Sequence, residues 1–167
     1  MAPQNPYSSD LGEREPVSAM REAASRIATL VSGWTPEQFE RSYAPGKWSA
    51  REILIHLSQS EFAFGNRARM ALSTPNYTSQ PFDQDRWMVL EGGSPEKARG
   101  VSGPEAAAAL RAMNAMNCAL FRGLTDQQRA TPFTHPEYGA LTVDWLIHQM
   151  AGHLLHHQAH IEAIAKP

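Results

Sequence analysis

Apolar side chains return at helical spacing in four long stretches of the chain. In the first, Met20, Ala23, Ile27, Leu30 and Val31 recur three or four residues apart, the period that gathers them on one face of an α-helix. Pro16 is placed to open this helix, since its missing N–H would lack a partner in the first turn anyway, and Gly33 closes it. A short helical turn over Thr35-Pro36-Glu37 is expected next. In the second stretch Ile53, His56, Leu57, Phe64, Ala68 and Ala71 share one side. Ser49 followed by Glu52 forms a capping box, each side chain satisfying a backbone N–H of the other, and the helix should fail at Thr74-Pro75. Pro104 opens the third helix, with a stripe of Ala107, Leu110, Met113, Met116, Leu120 and Phe121. Thr142 is placed as the N-cap of the fourth, which then runs almost to the C-terminus.

Between the second and third helices, residues 74–103 hold Pro75, Pro81, Gly92, Gly93, Pro95, Gly100 and Gly103. They predict a long connection with at most short helical turns. Residues 130–141 read as a second irregular link, and no strand-like alternation or internal repeat stands out. The pattern predicts an all-α fold, a four-helix bundle, over residues 15–167. A polar, Pro-rich extension, residues 1–14, should wrap loosely over it. A crossover of this length can carry the chain back along a helix of ~33 Å. The second and third helices can then run parallel, giving an up-down-down-up bundle.

Composition narrows the setting. At 167 residues the chain fits one domain, which buries on the order of 70% of its unfolded surface. A formal charge of −2 gives no electrostatic case for nucleic acid or an anionic membrane. The start, Met-Ala-Pro-Gln-Asn-Pro, lacks the basic-then-apolar pattern of a signal peptide. No stretch approaches the roughly 20 apolar residues that span a bilayer. Cys118 is the single cysteine, which excludes an internal disulfide and suits a reducing compartment. The expectation is a soluble cytoplasmic protein with neither nucleic-acid nor membrane partners.

Five of the seven histidines fall between residues 148 and 160. His153 and His157 are four apart, as are His156 and His160, and residues so spaced share a helix face. Two imidazoles on one face can converge on a metal ion at roughly 2.0–2.1 Å per bond. A third ligand can be sought by level. At 1.5 Å per residue, His56 lies about 10 Å along its helix from Ser49. His153 and His157 lie roughly 16 and 22 Å from Thr142 on the same measure. Antiparallel helices put the three at nearly one height, whereas parallel helices miss by about 9 Å. The nominated metal trio is therefore His56, His153 and His157. Three protein ligands leave a fourth tetrahedral position open, the pattern of a catalytic rather than a structural zinc site.

The plainer alternative is that these are ordinary helix histidines. His160 is a candidate pocket residue beside the trio, His148 and His156 are expected to cap or decorate a helix surface, and His135 before Pro136 to mark a turn. Asp83 and Asp85 read as turn caps or, less simply, as residues at a pocket mouth. Glu52 is explained by its capping box. Glu61, five residues past His56, should point elsewhere and be solvated. Trp48 and Trp145 read as packing residues, and Cys118 as a buried, inert thiol. No Gly-x-Ser-x-Gly, His-Glu-x-x-His or Gly-rich phosphate loop occurs, and no general base is nominated.

Two blocks of sequence resemble the DinB-like superfamily, and within it the YfiT-like group of metal-dependent hydrolases or bacillithiol S-transferases. One is Pro45-Gly-Lys-Trp-Ser-Ala-Arg-Glu-Ile-Leu-Ile-His56-Leu, continuing to Pro81-Phe-Asp-Gln-Asp-Arg-Trp87. The other joins His135-Pro-Glu-Tyr-Gly139 and Leu141-Thr-Val-Asp-Trp-Leu146 to His153-Leu-Leu-His156-His157-Gln-Ala-His160-Ile161. The resemblance implies an up-down-down-up bundle, often a homodimer, with zinc or nickel held at His56, His153 and His157. Two departures stand out: Glu61 replaces a usual further histidine, and Met-Ala-Gly before His153 replaces an aromatic pair ending in Trp.

The expected function is a metal-dependent enzyme acting on a small molecule. It would be an S-transferase using a low-molecular-weight thiol, or a hydrolase. The alternatives are a metal-binding or stress-response helical protein without turnover, and a bundle whose histidines are incidental.

Overall fold

The computed structural model describes residues 3–91 and 100–166. Gly92, Gly93 and Pro95, placed above in the crossover, lie outside the described residues. In chain order the elements are α1 (Ser8–Leu11), α2 (Pro16–Val31), α3 (Pro36–Phe39), α4 (Ala50–Ser73), α5 (Gln84–Leu90), α6 (Gly103–Arg122), α7 (Asp126–Arg129), β1 (Pro132–His135), β2 (Gly139–Thr142) and α8 (Val143–Ala165). The long helices α2, α4, α6 and α8 are the four that the apolar stripes predict. Each begins where a side chain satisfies free N–H groups. Glu15 caps α2, Ser49 with Glu52 caps α4, Ser102 with Glu105 caps α6, and Thr142 caps α8.

Their directions follow from which residues meet. The Ser58 hydroxyl donates to the Ala106 carbonyl at 2.9 Å, and the Asn114 amide donates to Glu61 at 2.9 Å. Asn117 lies against Gly65. Numbers rise together along both helices, so α4 and α6 are parallel. Across the other flank His56 meets His157 while Phe64 meets His153, so α4 and α8 are antiparallel. Near the start of α2, the Val17 carbonyl faces Cys118, close to the end of α6. These two are antiparallel as well, and the order is up-down-down-up, built by the crossover. Among the side chains sealed inside are Met20, Ile27, Ile53, Leu54, Leu110, Phe121, Leu146 and Ile161. Each stabilises the bundle by about 1.5–3 kcal/mol relative to exposure.

Residues 130–141 are not an irregular link. Strands β1 and β2 pair antiparallel, with Pro132 opposite Thr142 and His135 opposite Gly139. Phe133 and Leu141 point inward and are buried. Four-residue strands give too few inward positions for alternation to be read from sequence. The left-handed φ of +71° at Gly139 lets the chain turn back there. The Ser79 N–H donates to the Thr134 carbonyl at 2.9 Å, and the Thr134 N–H donates to Tyr77 at 3.0 Å. The hairpin thus anchors the first part of the crossover.

The described part of the N-terminal extension is seated rather than loose. Helix α1 packs on α8 with Leu11 buried, and the Trp145 indole N–H donates to the Pro3 carbonyl at 2.9 Å. Among the described residues, no helix is long and apolar enough to cross a membrane.

Candidate metal centre

His56 sits on the second turn of α4, while His153 and His157 sit one turn apart on α8. The antiparallel packing brings all three to one height, where they are 3%, 6% and 8% exposed. One candidate ligand nitrogen from each lies within 4.8 Å of the other two. His56 Nε2 and His153 Nε2 are 2.9 Å apart. The three rings stand nearly perpendicular in pairs, with centroids 4.9, 5.0 and 4.7 Å apart, so their edges converge instead of stacking.

This donor set suits a cation. Burial holds the His56 imidazole down at about 4, well under its ordinary value. His153 is held far below it by burial first, then by the charges of His56 and His156. His157 is lowered by burial and by its histidine neighbours. All three are neutral at pH 7, the form that ligates metal. His56 Nδ1 is buried without a hydrogen-bond partner, an arrangement that costs free energy unless something compensates it. Two bonds of 2.0–2.1 Å at a tetrahedral angle hold nitrogens about 3.3 Å apart, wider than the His56–His153 pair. Three imidazoles without a carboxylate favour zinc, nickel, copper or iron over magnesium or calcium.

The surroundings hold the rings in place. His160 lies beside the trio, with its Nδ1 3.3 Å from His157 Nδ1 and its ring stacked on Tyr43 at 4.1 Å. Such outer contacts orient ligating histidines. Trp48 lies 4.9 Å from His56, and Tyr7 lies 5.1 Å from His153. Tyr7 reaches this position because residue 152 is glycine. A Cβ there would collide with the Tyr7 carbonyl oxygen and lie 2.7 Å from the Tyr7 Cβ. A cavity of about 190 Å³ opens on His56 and His153, walled by Tyr7, Ser60, Phe64, Arg67, His135 and Tyr138 among others. A larger hollow of about 540 Å³ between residues 71–77 and 131–134 has no acid, histidine or cysteine on its walls. The smaller cavity is the one that reaches two of the three converging histidines.

The remaining candidates fall into structural places. His148 accompanies Asp144 on the α8 surface, and His156 Nδ1 lies 3.3 Å from Asp10. His135 marks the hairpin turn, its Nδ1 accepting from the N–H groups of Glu137 and Tyr138. Asp83 caps α5, with Asp85 in its first turn, and Glu52 accepts from the Ser49 N–H at 2.8 Å. Cys118 is buried and its thiol is pushed up to about 11, first by burial. Glu61 corrects the expectation of a solvated residue. It does point away from His56, but into the α6 contact, where it is 4% exposed and accepts from Asn114 and Asn117. Helix α4 buries two flanks, and the wheel drawn from His56 accounts for one. Sequence reasoning missed Tyr7, Ser60 and Arg67. Ser60 and Arg67 could have been found as continuations of the His56 stripe, whereas Tyr7 is brought in by tertiary packing alone.

Comparison with known proteins agrees with the four-helix fold. A relative in Oceanobacillus iheyensis, "Putative metal-dependent hydrolase OB0782", is 28% identical over 130 residues, 78% of this chain and 72% of its own. YfiT of Bacillus subtilis is 25% identical over 151 residues, covering 90% of this chain and 82% of its own. The solved structure of YfiT, described as a probable metal-dependent hydrolase with an unusual four-helix bundle topology, superposes with a TM-score of 0.78. That match covers 89% of this chain and 83% of YfiT at 25% identity. The profile of the DinB superfamily matches residues 19–161, most of the chain, which belongs to that superfamily.

Proposed function

We propose that this protein is a metal-dependent enzyme of small-molecule chemistry, with His56, His153 and His157 as the metal ligands and S-transfer from a low-molecular-weight thiol as its reaction. The observation that carries the reading is the convergence of three buried, neutral imidazoles, two of which, His56 and His153, face a cavity. A divalent cation there, zinc or nickel, would favour the deprotonated form of whatever thiol or water occupies its open position. The protein's own part is to hold three lone pairs in place, keep bulk water out with Trp48, Tyr7 and Phe64, and admit a substrate through the cavity. Among the described residues, Glu137 is the one carboxylate on the cavity wall, and it is exposed at the hairpin turn. A water nucleophile gains from a positioned base; besides Glu137 the wall offers His135, whose Nδ1 already accepts from the Glu137 and Tyr138 N–H groups. A thiol stabilised as thiolate needs no such base. Hydrolysis is the second reading, supported by the names of the relatives.

Metal analysis together with thiol-conjugation assays tests both statements. The expected result is near one equivalent of metal per chain and conjugation of a thiol to an electrophile, both lost in His56→Ala. Metal without either conjugation or hydrolysis would make this a metal-binding protein without turnover. Stoichiometry far below one after reconstitution would end the metal reading.

A further inference from the structure

We propose that Arg67 and Ser60 form an anion subsite in the cavity beside the three histidines, and that it selects small substrates carrying a carboxylate. His56, Ser60, Phe64 and Arg67 follow one another at steps of four, four and three along α4, so they form a single stripe. The stripe lines the cavity from the candidate metal ligand outward. Arg67 stands ~16 Å beyond His56 along the axis, and Cα–Cβ bonds tilt toward a helix N-terminus, which directs its long side chain back toward the histidines.

The state of this guanidinium is what calls for a ligand. Arg67 is 6% exposed. Its Nη2 donates to the Gln80 carbonyl at 2.8 Å, and its central carbon lies 5.2 Å over the Phe64 ring. Its Nε is buried without a partner, and so is the Ser60 hydroxyl. Among the described residues no ion pair joins Arg67 to a carboxylate. Tyr77 and the exposed Glu137 are the charged or titratable groups that favour its cationic form from a distance. Burial works against that form, yet an arginine stays protonated in proteins. A buried permanent cation faced by a phenyl ring and one carbonyl is costly unless an anion completes it. If Arg67 served only to tie the crossover to α4, the single bond to Gln80 would do that, and Nε and the Ser60 hydroxyl would have no task.

Size and shape narrow the anion. At about 190 Å³ the cavity is below the roughly 300–1,000 Å³ of drug-sized sites. A planar carboxylate matches the guanidinium fork through two parallel N–H···O bonds and carries one charge for one cation. The inference rests on reading the cavity as the substrate site, so its test is kept separate from metal content.

Succinate and its neutral analogue succinamide, titrated calorimetrically into zinc-reconstituted wild-type, Arg67→Met and Arg67→Lys proteins, decide it. Any contribution from zinc is common to the three proteins. Succinate is expected to bind wild type and to weaken at least tenfold in Arg67→Met, with a smaller loss in Arg67→Lys, while succinamide changes less than twofold. Equal affinity of wild type for succinate and succinamide overturns the proposal without reference to any variant. Inorganic phosphate binding tighter than succinate overturns the carboxylate assignment. Should Arg67→Met fail to fold, Arg67→Lys carries the test, and unchanged succinate affinity there overturns the proposal. Zinc content measured on the same samples reports on the metal reading independently. Protein that takes up no zinc but still discriminates succinate through Arg67 keeps the subsite and loses the metal.

Discussion

Helix α4 carries two buried polar clusters five residues apart, and they differ in how completely the protein satisfies them. Around Glu61 every partner is supplied from within. Its two carboxylate oxygens accept from Asn114 at 2.9 Å and Asn117 at 2.6 Å. Arg69 donates to Asn117 Oδ1 at 2.7 Å, and the absent side chain of Gly65 makes room for the Asn117 amide. Around His56, two ring nitrogens with at most one proton between them face each other at 2.9 Å, and Nδ1 has no partner. Burial is equal in the two places; saturation is not. A polar cluster that closes on itself holds helices in register. One that leaves lone pairs converging on a shared point has the donor arrangement that a metal ion would complete.

The largest expected separation between the clusters is in metal affinity and stability. Replacing His157 with Ala should weaken metal binding by at least ~100-fold, beyond the 10–100-fold of an outer contact, and leave the fold standing. Replacing Glu61 with Ala should leave metal content near that of wild type. It should destabilise the protein by about 2–4 kcal/mol, because two buried amides lose their acceptor. Metal titration and denaturant unfolding of both variants read this out, and loss of metal from Glu61→Ala would erase the distinction.

The next largest effect is in pH dependence. His56 has its folded value lowered to about 4 by burial. The unfolded chain therefore binds the proton more readily, and the stability tied to this ring is complete above about 6.5 and lost as pH falls toward 4. Glu61 is raised, burial outweighing its two amide donors, so its contribution is complete below the ordinary carboxylate value and lost as pH rises through the folded one. In metal-free protein, His56→Leu should remove on the order of 2–3 kcal/mol of acid sensitivity between pH 6.5 and 4, while Glu61→Gln should steepen the acid loss. Parallel pH profiles for wild type and His56→Leu would contradict the sign. The smallest effect concerns the rim of the histidine cluster. Gly152→Ala forces a Cβ against the Tyr7 backbone and should cost about 1–2 kcal/mol by overpacking, without changing metal content. A melting temperature equal to that of wild type would show that Tyr7 is not held there.

The sequence was most readable where one local rule sufficed. The helix bounds followed from Ser49 with Glu52, from Thr142 and from Pro16, and the crossover direction from residue counting. The meeting of His56 with His153 and His157 was legible because helix rise converts sequence number into height, so topology and trio each tested the other. What escaped depends on contacts between distant segments. Glu61 looked solvated because its partners Asn114 and Asn117 lie on another helix. The hairpin at Pro132–Thr142 was too short to show a period. Tyr7 has no motif at all, and its position follows from a missing Cβ at Gly152.

The two halves of the histidine cluster stand 97 residues apart in the chain, and its later half rides on the last helix. A nascent chain leaving the ribosome therefore exposes His56 long before its companions exist. An ion cannot be captured by all three rings until α8 has emerged and docked. Under the proposed reading, loading would be an event of the docked bundle, and the folded site rather than the growing polypeptide would set which cation is accepted.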